Sequence, residues 1–552
     1  MKQQHHGLCL KIRLSHPSAA TQYQRQCNEH TFCKKSHMGD FLWAGWPKLN
    51  SQPITQSDIG SLCTLAHQNK MALSGEYVSC LIDNNNTIYL QRDHTGTFPL
   101  YYRLAKNTLH ISSDPRQLID SNTEINKEWI NCWLLSLYPE HISPWKGIEQ
   151  LPAGHQLKIN SKGLRLLRLA TPASSSIMTK DIPEAIHQAI KETLNSYPKS
   201  QQPWACHLSG GMDSSAIAAS LVKNKGHKGL ALSYAFSHLP EEDETRLAQL
   251  TAQKLNIDWR AIEAEEFAIY QDKSKRPLPF YSWDSLDNEL FKHAQDSGAE
   301  HFYTGHGGDT LFTGPGPERI AISRWKTSKF RWAGLAYQLA SGKFSPSSLL
   351  HDLLPDHGYS IFLKLGKMPG KPEWLNDKVF KSEDVYKCLS GTYDAIAPDN
   401  GLQAQTWNDS AFCIKRAIHA FNFQSQKYAL HAFHPFWSNR MLSLFLSINP
   451  QDHRAGSSHL YKMQLRKAFT QQLPKEVIQN AYKPSLTRYY NQSLCSGQNW
   501  EQTILDSYLA QKQLISAPKA LKQLEKECQN NTSAITISPI LDIETWLTTL
   551  DS

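Results

Sequence analysis

The sequence predicts an α/β protein in two parts: an antiparallel, β-rich first part, and a second part built on a parallel sheet covered by helices. Three observations carry this. Through residue 170, short alternating apolar and polar runs are broken by turn residues. Beyond residue 180 the apolar spacing switches between helix and strand periods in βαβα order. At one strand-to-helix junction stands a glycine turn, Ser209-Gly210-Gly211-Met212-Asp213-Ser214-Ser215.

In the first part, Tyr77 to Leu81 and Thr87 to Gln91 flank Asp83-Asn84-Asn85-Asn86. Asn and Asp favour tight turns, so the segment reads as a hairpin of an antiparallel sheet. Residues 171–180, with Pro172 and the serine run 174–176, read as a linker between domains 1–170 and 181–552. Ile182 to Leu194 has helical spacing, Trp204 to Leu208 is a short buried strand, and Asp213 to Lys223 is an alanine-rich helix. Strands follow at Gly229 to Phe236 and His301 to Thr304. From about residue 325 the pattern is mainly helical, an extension of the sheet domain.

Composition excludes several classes. The 552 residues are 40% hydrophobic and 20% charged, with 28 Gly and 28 Pro, which is ordinary for a globular chain and neither disordered nor fibrous. The formal charge of +8 is spread over 58 basic and 50 acidic residues without a basic tail of the nucleic-acid-binding kind. Its apolar runs, such as Met441 to Ile448, are too short for a bilayer span. Eleven scattered cysteines and a polar start predict no disulfide framework and a cytoplasmic location. Cys27, His30 and Cys33 lack the second pair of ligands that a zinc site needs, and read as loop residues.

The glycine turn is suited to an anion. Gly210 and Gly211 let backbone approach phosphate closely, and the following helix presents unpaired N–H groups and the positive end of its dipole. Ser209, Ser214 and Ser215 add hydroxyl donors. A carboxylate at Asp213 would repel phosphate unless a divalent cation lay between them, which makes it a Mg²⁺ ligand candidate. No Gly-x-x-x-x-Gly-Lys-Ser/Thr pattern is present, which argues against γ-phosphoryl transfer.

This string resembles the PP-loop of N-type ATP pyrophosphatases, and the remainder of the chain resembles the asparagine synthetase family almost end to end. Gly75-Glu76-Tyr77, Arg92-Asp93-His94-Thr95-Gly96, Pro99-Leu100-Tyr101-Tyr102, Ser112-Ser113-Asp114 and Leu151-Pro152-Ala153-Gly154-His155 look like the signatures of that family's glutaminase domain, in order. The resemblance implies an Ntn-type antiparallel domain followed by a PP-loop, adenine nucleotide α-hydrolase-like synthetase domain. It also implies an inactive glutaminase. The nucleophile of that domain is a cysteine after the initiator methionine, with its own α-amine as base, and this chain has Lys2 there, while Cys9 reads as structural. The attacking amine would then belong to the substrate.

Tyr303-Thr304-Gly305-His306-Gly307-Gly308-Asp309 resembles the family's second signature. By that match Asp309 would hold Mg²⁺ with Asp213, and Thr304, Gly305, Leu208 and Phe236 would line ATP. His306 stands where asparagine synthetases carry glutamate and β-lactam synthetases tyrosine; the Gly-His-Gly-Gly-Asp form looks like lasso peptide macrolactam synthetases. A neutral imidazole there could take the proton of an attacking ammonium. In His434-Pro435-Phe436-Trp437-Ser438, Trp-Ser replaces the family's Leu-Asp. Lys462-x-x-x-Arg466 and Tyr482-Lys483-Pro484 follow in family order, and Lys483 matches the lysine that neutralises the adenylate. Glu241-Glu242-Asp243-Glu244 reads as an acidic helix start.

The resemblance therefore implies a lasso cyclase: ATP and Mg²⁺ activate an Asp or Glu side chain of a precursor peptide for attack by its N-terminal amine. A leader peptidase and a leader-recognition protein would be its partners. The alternatives are a small-molecule amide or β-lactam-type synthetase, an asparagine synthetase-like amidotransferase, or a binding scaffold descended from a synthetase.

Overall fold

The computed structural model describes the chain except residues 1–8, 14–22, 26–31, 50–51, 69–70, 72, 107, 137, 173, 265–268, 271–273, 280–283, 314–371, 377–393, 397–401, 455–459, 485, 497–498, 530–535 and 552. Lys2, Cys27 and His30 lie outside the described residues, as does most of the early part of the expected helical extension.

The first part is a sandwich of two antiparallel sheets. One has strand order Gly163–Arg168, His155–Asn160, Ile88–Arg92, Tyr77–Asp83, Gly39–Gly45, Phe32–Ser36. The other has order Glu149–Gln150, Tyr101–Ala105, Thr108–Ser112, Cys9–Arg13, Tyr23–Arg25. Alternation along each strand explains the layering. Val78, Cys80, Ile82, Ile88 and Leu90 meet Leu10, Ile12, Leu109 and Ile111 between the sheets. The opposite face, with Phe41, Leu81 and Tyr89, is covered by helix Ile59–His67 through Ile59, Leu62 and Ala66. Covered on both faces, Tyr77–Asp83 is buried along its whole length.

The expected hairpin is present, with Ile82 opposite Ile88. Asp83 Oδ1 accepts from the amides of Asn85 and Thr87 at 2.9 and 2.8 Å, and Asn86 takes the left-handed conformation at φ 58°.

The second part carries a parallel sheet of order Asp258–Glu263, Gly229–Ala235, Trp204–His207, His301–Tyr303, His431–Phe433. Residues alternate between its faces. Trp204, Cys206, Ala231 and Tyr303 pack with helices Ile182–Ser196 and Met212–Lys225. Ala205, Leu230, Leu232 and Phe302 pack with helix Asp284–Asp296 and with Phe421 of Leu402–Gln426. The last strand, His431–Phe433, departs from the helical pattern expected beyond residue 325; its three residues are too few to show a period.

One expectation from the sequence is overturned. Cys495 and Cys528 form a disulfide between helices Thr487–Ser496 and Ala517–Gln529, and Cys132 is also disulfide-bonded, against the expectation of none. Scattered spacing conceals a pair that packing brings to a Cα separation of 5.8 Å. No described helix is long and apolar enough to cross a membrane.

A cavity of about 910 Å³ lies between the sandwich and the second part, lined by Gly75, Glu76, His94, Thr193 and Asn439 among others. Glu76 Oε2, His94 Nε2 and Asn439 Oδ1 are buried there without hydrogen-bond partners. Burial, reinforced by the neighbouring Asp93 carboxylate, pushes Glu76 up to about 8 from an ordinary 4.5. Between those values the folded chain holds a proton that the unfolded chain releases, so this group's contribution to stability falls as pH rises through the window. Glu76→Gln is expected to flatten the decline of the melting temperature between pH 5 and 8. An unchanged slope by calorimetry would assign the pH dependence to other groups.

Candidate active site

The site is built where strand Trp204–His207 ends and helix Met212–Lys225 begins. Leu208 continues the sheet, its amide donating to the Leu232 carbonyl at 2.8 Å, and anchors the turn in the core. Gly210 has φ 95°, and a Cβ on it would stand 2.4 Å from the Glu244 carbonyl oxygen, so no other residue fits that turn. Ser214 Oγ lies 3.0 Å from Ser209 Oγ and accepts from the Ser209 amide at 3.1 Å. These bonds hold the turn in shape around the helix N-terminus. Ser215 Oγ is buried without a partner.

Asp213, in the first turn of the helix, meets the second signature directly. A Cβ on Gly308 would lie 2.3 Å from Asp213 Cγ, and one on Gly305 would lie 2.8 Å from the Ser214 amide nitrogen. Gly305 and Gly308 are thus required by contact with the first loop, while Gly307, at φ 94°, lies against Trp437. Asp309 follows in helix Gly308–Thr313.

Asp213 and Asp309 converge on one ammonium. Lys462 Nζ lies 2.5 Å from Asp213 Oδ2 and 2.8 Å from Asp309 Oδ1, while Lys483 Nζ reaches Asp309 Oδ2 at 2.6 Å. Lys462 is buried and begins helix Met463–Phe469 from a left-handed conformation at φ 60°. Motif order alone gives Lys462 a place in the sequence and no role. Behind it, Arg466 donates to the carbonyls of Tyr461, Val477, Ile478 and Asn480, tying the Lys462 helix to the segment that carries Lys483.

The electrostatics follow from this arrangement. Burial pushes the Asp213 carboxyl above its usual range, opposed by Lys462 and reinforced by Asp309. Burial would raise Asp309 too, but Lys462 and then Lys483 pull it down to about 2. Burial works against the Lys462 charge, and the two carboxylates override it and hold its pKa above the ordinary lysine value. The lysines thus favour the charged form of Asp309, and the two carboxylates favour that of Lys462, while burial opposes charge on Asp213.

The donors fit a divalent cation of the magnesium type. Two carboxylates face a single point where a positive charge already sits, and Asp213 Oδ1 is buried with no partner. Hard oxygen ligands of this kind suit Mg²⁺, which is commonly held by one or two carboxylates together with substrate phosphates and water. Among the described residues no group of three or more His, Cys, Asp or Glu side chains is placed to hold a metal alone.

A histidine pocket lies beneath. His306 is partly buried, with its Nδ1 atom buried and unpartnered and its ring 5.4 Å from His434 and edge-on to Phe421 at 5.5 Å. Burial lowers its pKa to about 4, so the imidazole is neutral at pH 7. His434 Nε2 lies 2.9 Å from Asn422 Oδ1, an acceptor, which puts the proton on Nε2; Nδ1 then accepts from Thr304 Oγ1 at 2.7 Å. Thr304 also receives the His306 amide, so its hydroxyl is engaged in the pocket instead of facing the turn. His207, just before the turn, is a member that sequence reasoning missed: it is held near 4 by burial and by His306, with Nε2 unpartnered.

Phe236 stands apart from the expectation. Its amide donates to Asp243 Oδ2 at 2.7 Å and its carbonyl accepts from Leu239, so both backbone groups serve their own turn and no amide is free for a nucleotide base. Trp437, which replaces the family's leucine, stacks on Trp407 at 3.9 Å and donates to the Thr95 carbonyl. Ser438, which replaces its aspartate, caps helix Asn439–Ser447.

A family model described as Asparagine synthase matches residues 185–548, the span that contains both loops and both lysines. The chain belongs to the asparagine synthase family. Ahead of that span, a Glutamine amidotransferase domain model matches residues 50–169. Relatives of this chain include Amidase chry2 of Gibberella zeae, 26% identical over 273 residues that cover 44% of this chain and 40% of the relative. Asparagine synthetase [glutamine-hydrolyzing] 1 of Bacillus subtilis is 25% identical over 192 residues, 33% of this chain and 30% of the relative. The chain thus spans 40% or less of the length of these curated relatives. Among solved structures, the NH3-dependent NAD synthetase of Campylobacter jejuni is 19% identical and is covered completely by 36% of this chain, with a TM-score of 0.21.

Proposed function

We propose that the chain is an AMP-forming, ATP-dependent amide ligase that closes a macrolactam in lasso peptide biosynthesis. One observation carries the ligase reading: Asp213 and Asp309, distant in sequence, converge with Lys462 and Lys483 beside a glycine turn at a helix N-terminus. Such a site suits a triphosphate with Mg²⁺, which when bound neutralises phosphate charge.

The turn amides, Ser209, Ser214 and Ser215 hold the phosphates in line. An Asp or Glu side chain of the precursor peptide attacks the α-phosphorus, the bond to the bridging oxygen breaks, and pyrophosphate leaves. Lys483 offsets the anionic charge of the adenylate and of the tetrahedral intermediate. The peptide's N-terminal amine then attacks the acyl carbon, gives up its proton, and AMP departs, with net loss of one water. His306, kept neutral by burial, is the acceptor for that proton. A closed pocket that holds amine and activated carboxyl together makes attack unimolecular.

His306→Ala is expected to lower cyclised product about 10²-fold, with ATP–pyrophosphate exchange retained because adenylation precedes the proton transfer. Normal product formation would leave the histidine a structural role. The Glutamine amidotransferase match over residues 50–169 and the cavity at Glu76 favour a second reading, ammonia-fed amide synthesis. Linear core peptide, ATP and Mg²⁺ discriminate between them by mass spectrometry. The lasso reading predicts a peptide lighter by one water with equimolar AMP; an amidated but linear peptide, formed only when ammonia is supplied, would replace it with the second.

A further inference from the structure

We propose that Glu244 is a further catalytic group of this site, an acid that hands its proton to the departing pyrophosphate; the proposal rests on the nucleotide reading above. Glu244 ends the acidic run that the sequence reads as a helix start, and precedes helix Thr245–Leu255 without capping it through its side chain. It packs instead on the outer edge of the glycine turn. Its carbonyl oxygen and Cβ would lie 2.4 and 2.9 Å from a Cβ on Gly210, and its Oε2 would lie 3.8 Å from one on Gly211.

Its two carboxyl oxygens are not equivalent. Oε1 accepts from Asn480 Nδ2 at 3.2 Å, on the segment that carries Lys483. Oε2, on the side of Gly211, has no hydrogen-bond partner among the described residues. The run's other acids are engaged elsewhere. Glu242 accepts from the amides of Arg488 and Tyr489, Asp243 accepts from Phe236 and Thr245, and Glu241 pairs with Arg488. Glu244 alone of the four is set against the phosphate turn.

The groups that face it are Lys483 and Lys462 from the two catalytic segments, Asn480, and Asp243 on its own strand of chain. Burial raises its carboxyl to about 7, with Asp243 adding to the rise, and the lysines and Asn480 only partly offset this. At neutral pH the acid and its conjugate base are both accessible, as general acid catalysis requires. A neutral carboxyl beside the turn can donate a hydrogen bond to a phosphate oxygen; a carboxylate would repel it.

The step balances without a further reactant. When the bond between the α-phosphorus and the bridging oxygen breaks, that oxygen and its electron pair leave with pyrophosphate, a stronger base than a carboxylate. The Glu244 proton moves to a pyrophosphate oxygen and leaves Glu244 ionised. The resulting like charge favours product release, and solvent restores the proton.

Inorganic pyrophosphate with Mg²⁺, titrated calorimetrically into the full chain in buffers of different ionisation enthalpy, tests this without catalysis. Binding is expected to be linked to proton uptake by Glu244, so affinity weakens as pH rises above 7, by up to about tenfold per pH unit for one linked proton. In Glu244→Gln, affinity is retained and that part of the proton uptake is lost; Glu244→Asp restores it. Equal proton uptake by wild type and Glu244→Gln would overturn the role of Glu244 and leave the phosphate site standing. Absence of pyrophosphate binding by either protein would overturn the site reading and the proposal with it. Should Glu244→Gln fail to fold, a wild-type affinity that does not vary between pH 6 and 9 would overturn the proposal.

Discussion

Asp213→Asn is expected to abolish AMP formation, with a loss of about 10³-fold or more, while the circular dichroism spectrum and melting behaviour stay close to wild type. The side chain keeps its volume, so contact with Gly308 is preserved, and only the negative charge and its capacity for a divalent cation disappear. The effect is large because the charge is mostly withdrawn from solvent and faces a point shared with Asp309, where no other described carboxylate is within ion-pairing distance of Lys462 to replace it. Loss of a carboxylate also leaves Lys462 with one partner in a buried position. An enzyme that still releases AMP at an appreciable rate would remove Asp213 from the catalytic centre. Measuring pyrophosphate release alongside AMP distinguishes this from a defect confined to the second half-reaction.

Lys483→Ala is expected to reduce product formation by about 10²–10³-fold without unfolding the protein. The side chain is 67% exposed and its sole described ion pair is to Asp309, so its removal forfeits little stability. Catalysis is a different matter. On the proposed adenylation chemistry, the Lys483 ammonium acts on charge that exists mainly in the transition state. Lys462 already lies between the two carboxylates and cannot take over the position. Lys483→Arg keeps the charge but changes its shape, and is expected to recover only part of the rate. Full turnover by Lys483→Ala, measured by cyclised peptide and AMP together, would exclude the lysine from the mechanism.

The strongest features of both parts are legible in the amino-acid order because local chemistry dictates them. Asp83 and Asn86 shape the hairpin turn by themselves, and Gly210-Gly211 ahead of an alanine-rich helix admits few alternatives. The convergence of Asp213, Asp309 and Lys483 is expected from motif order, and the fold gathers all three about one cluster.

What stays hidden depends on long-range contact. Lys462 has a place in motif order but no role that the sequence assigns, and the fold sets it between two carboxylates from the left-handed start of its helix. Glu244 is one of four consecutive acids that all suit a helix start, and the packing of Gly210 singles it out. His207 carries no signal beyond being a histidine, until the sheet brings it to His306. Cys495 and Cys528 are separated by 33 positions with no spacing that marks a pair. In the opposite direction, Phe236 matches a motif position, yet its own turn occupies its backbone groups.

The most direct test of the nucleotide chemistry follows the oxygen atoms. A linear core peptide carrying oxygen-18 in the Asp or Glu side-chain carboxylate is incubated with the full chain, ATP and Mg²⁺, and the nucleotide products are analysed by mass spectrometry and phosphorus NMR. Adenylation at the Asp213–Asp309 site predicts one labelled oxygen in AMP, none in pyrophosphate, and a cyclised peptide. Label in inorganic phosphate with ADP as the nucleotide product would contradict it, because the carboxylate would then have attacked the γ-phosphorus.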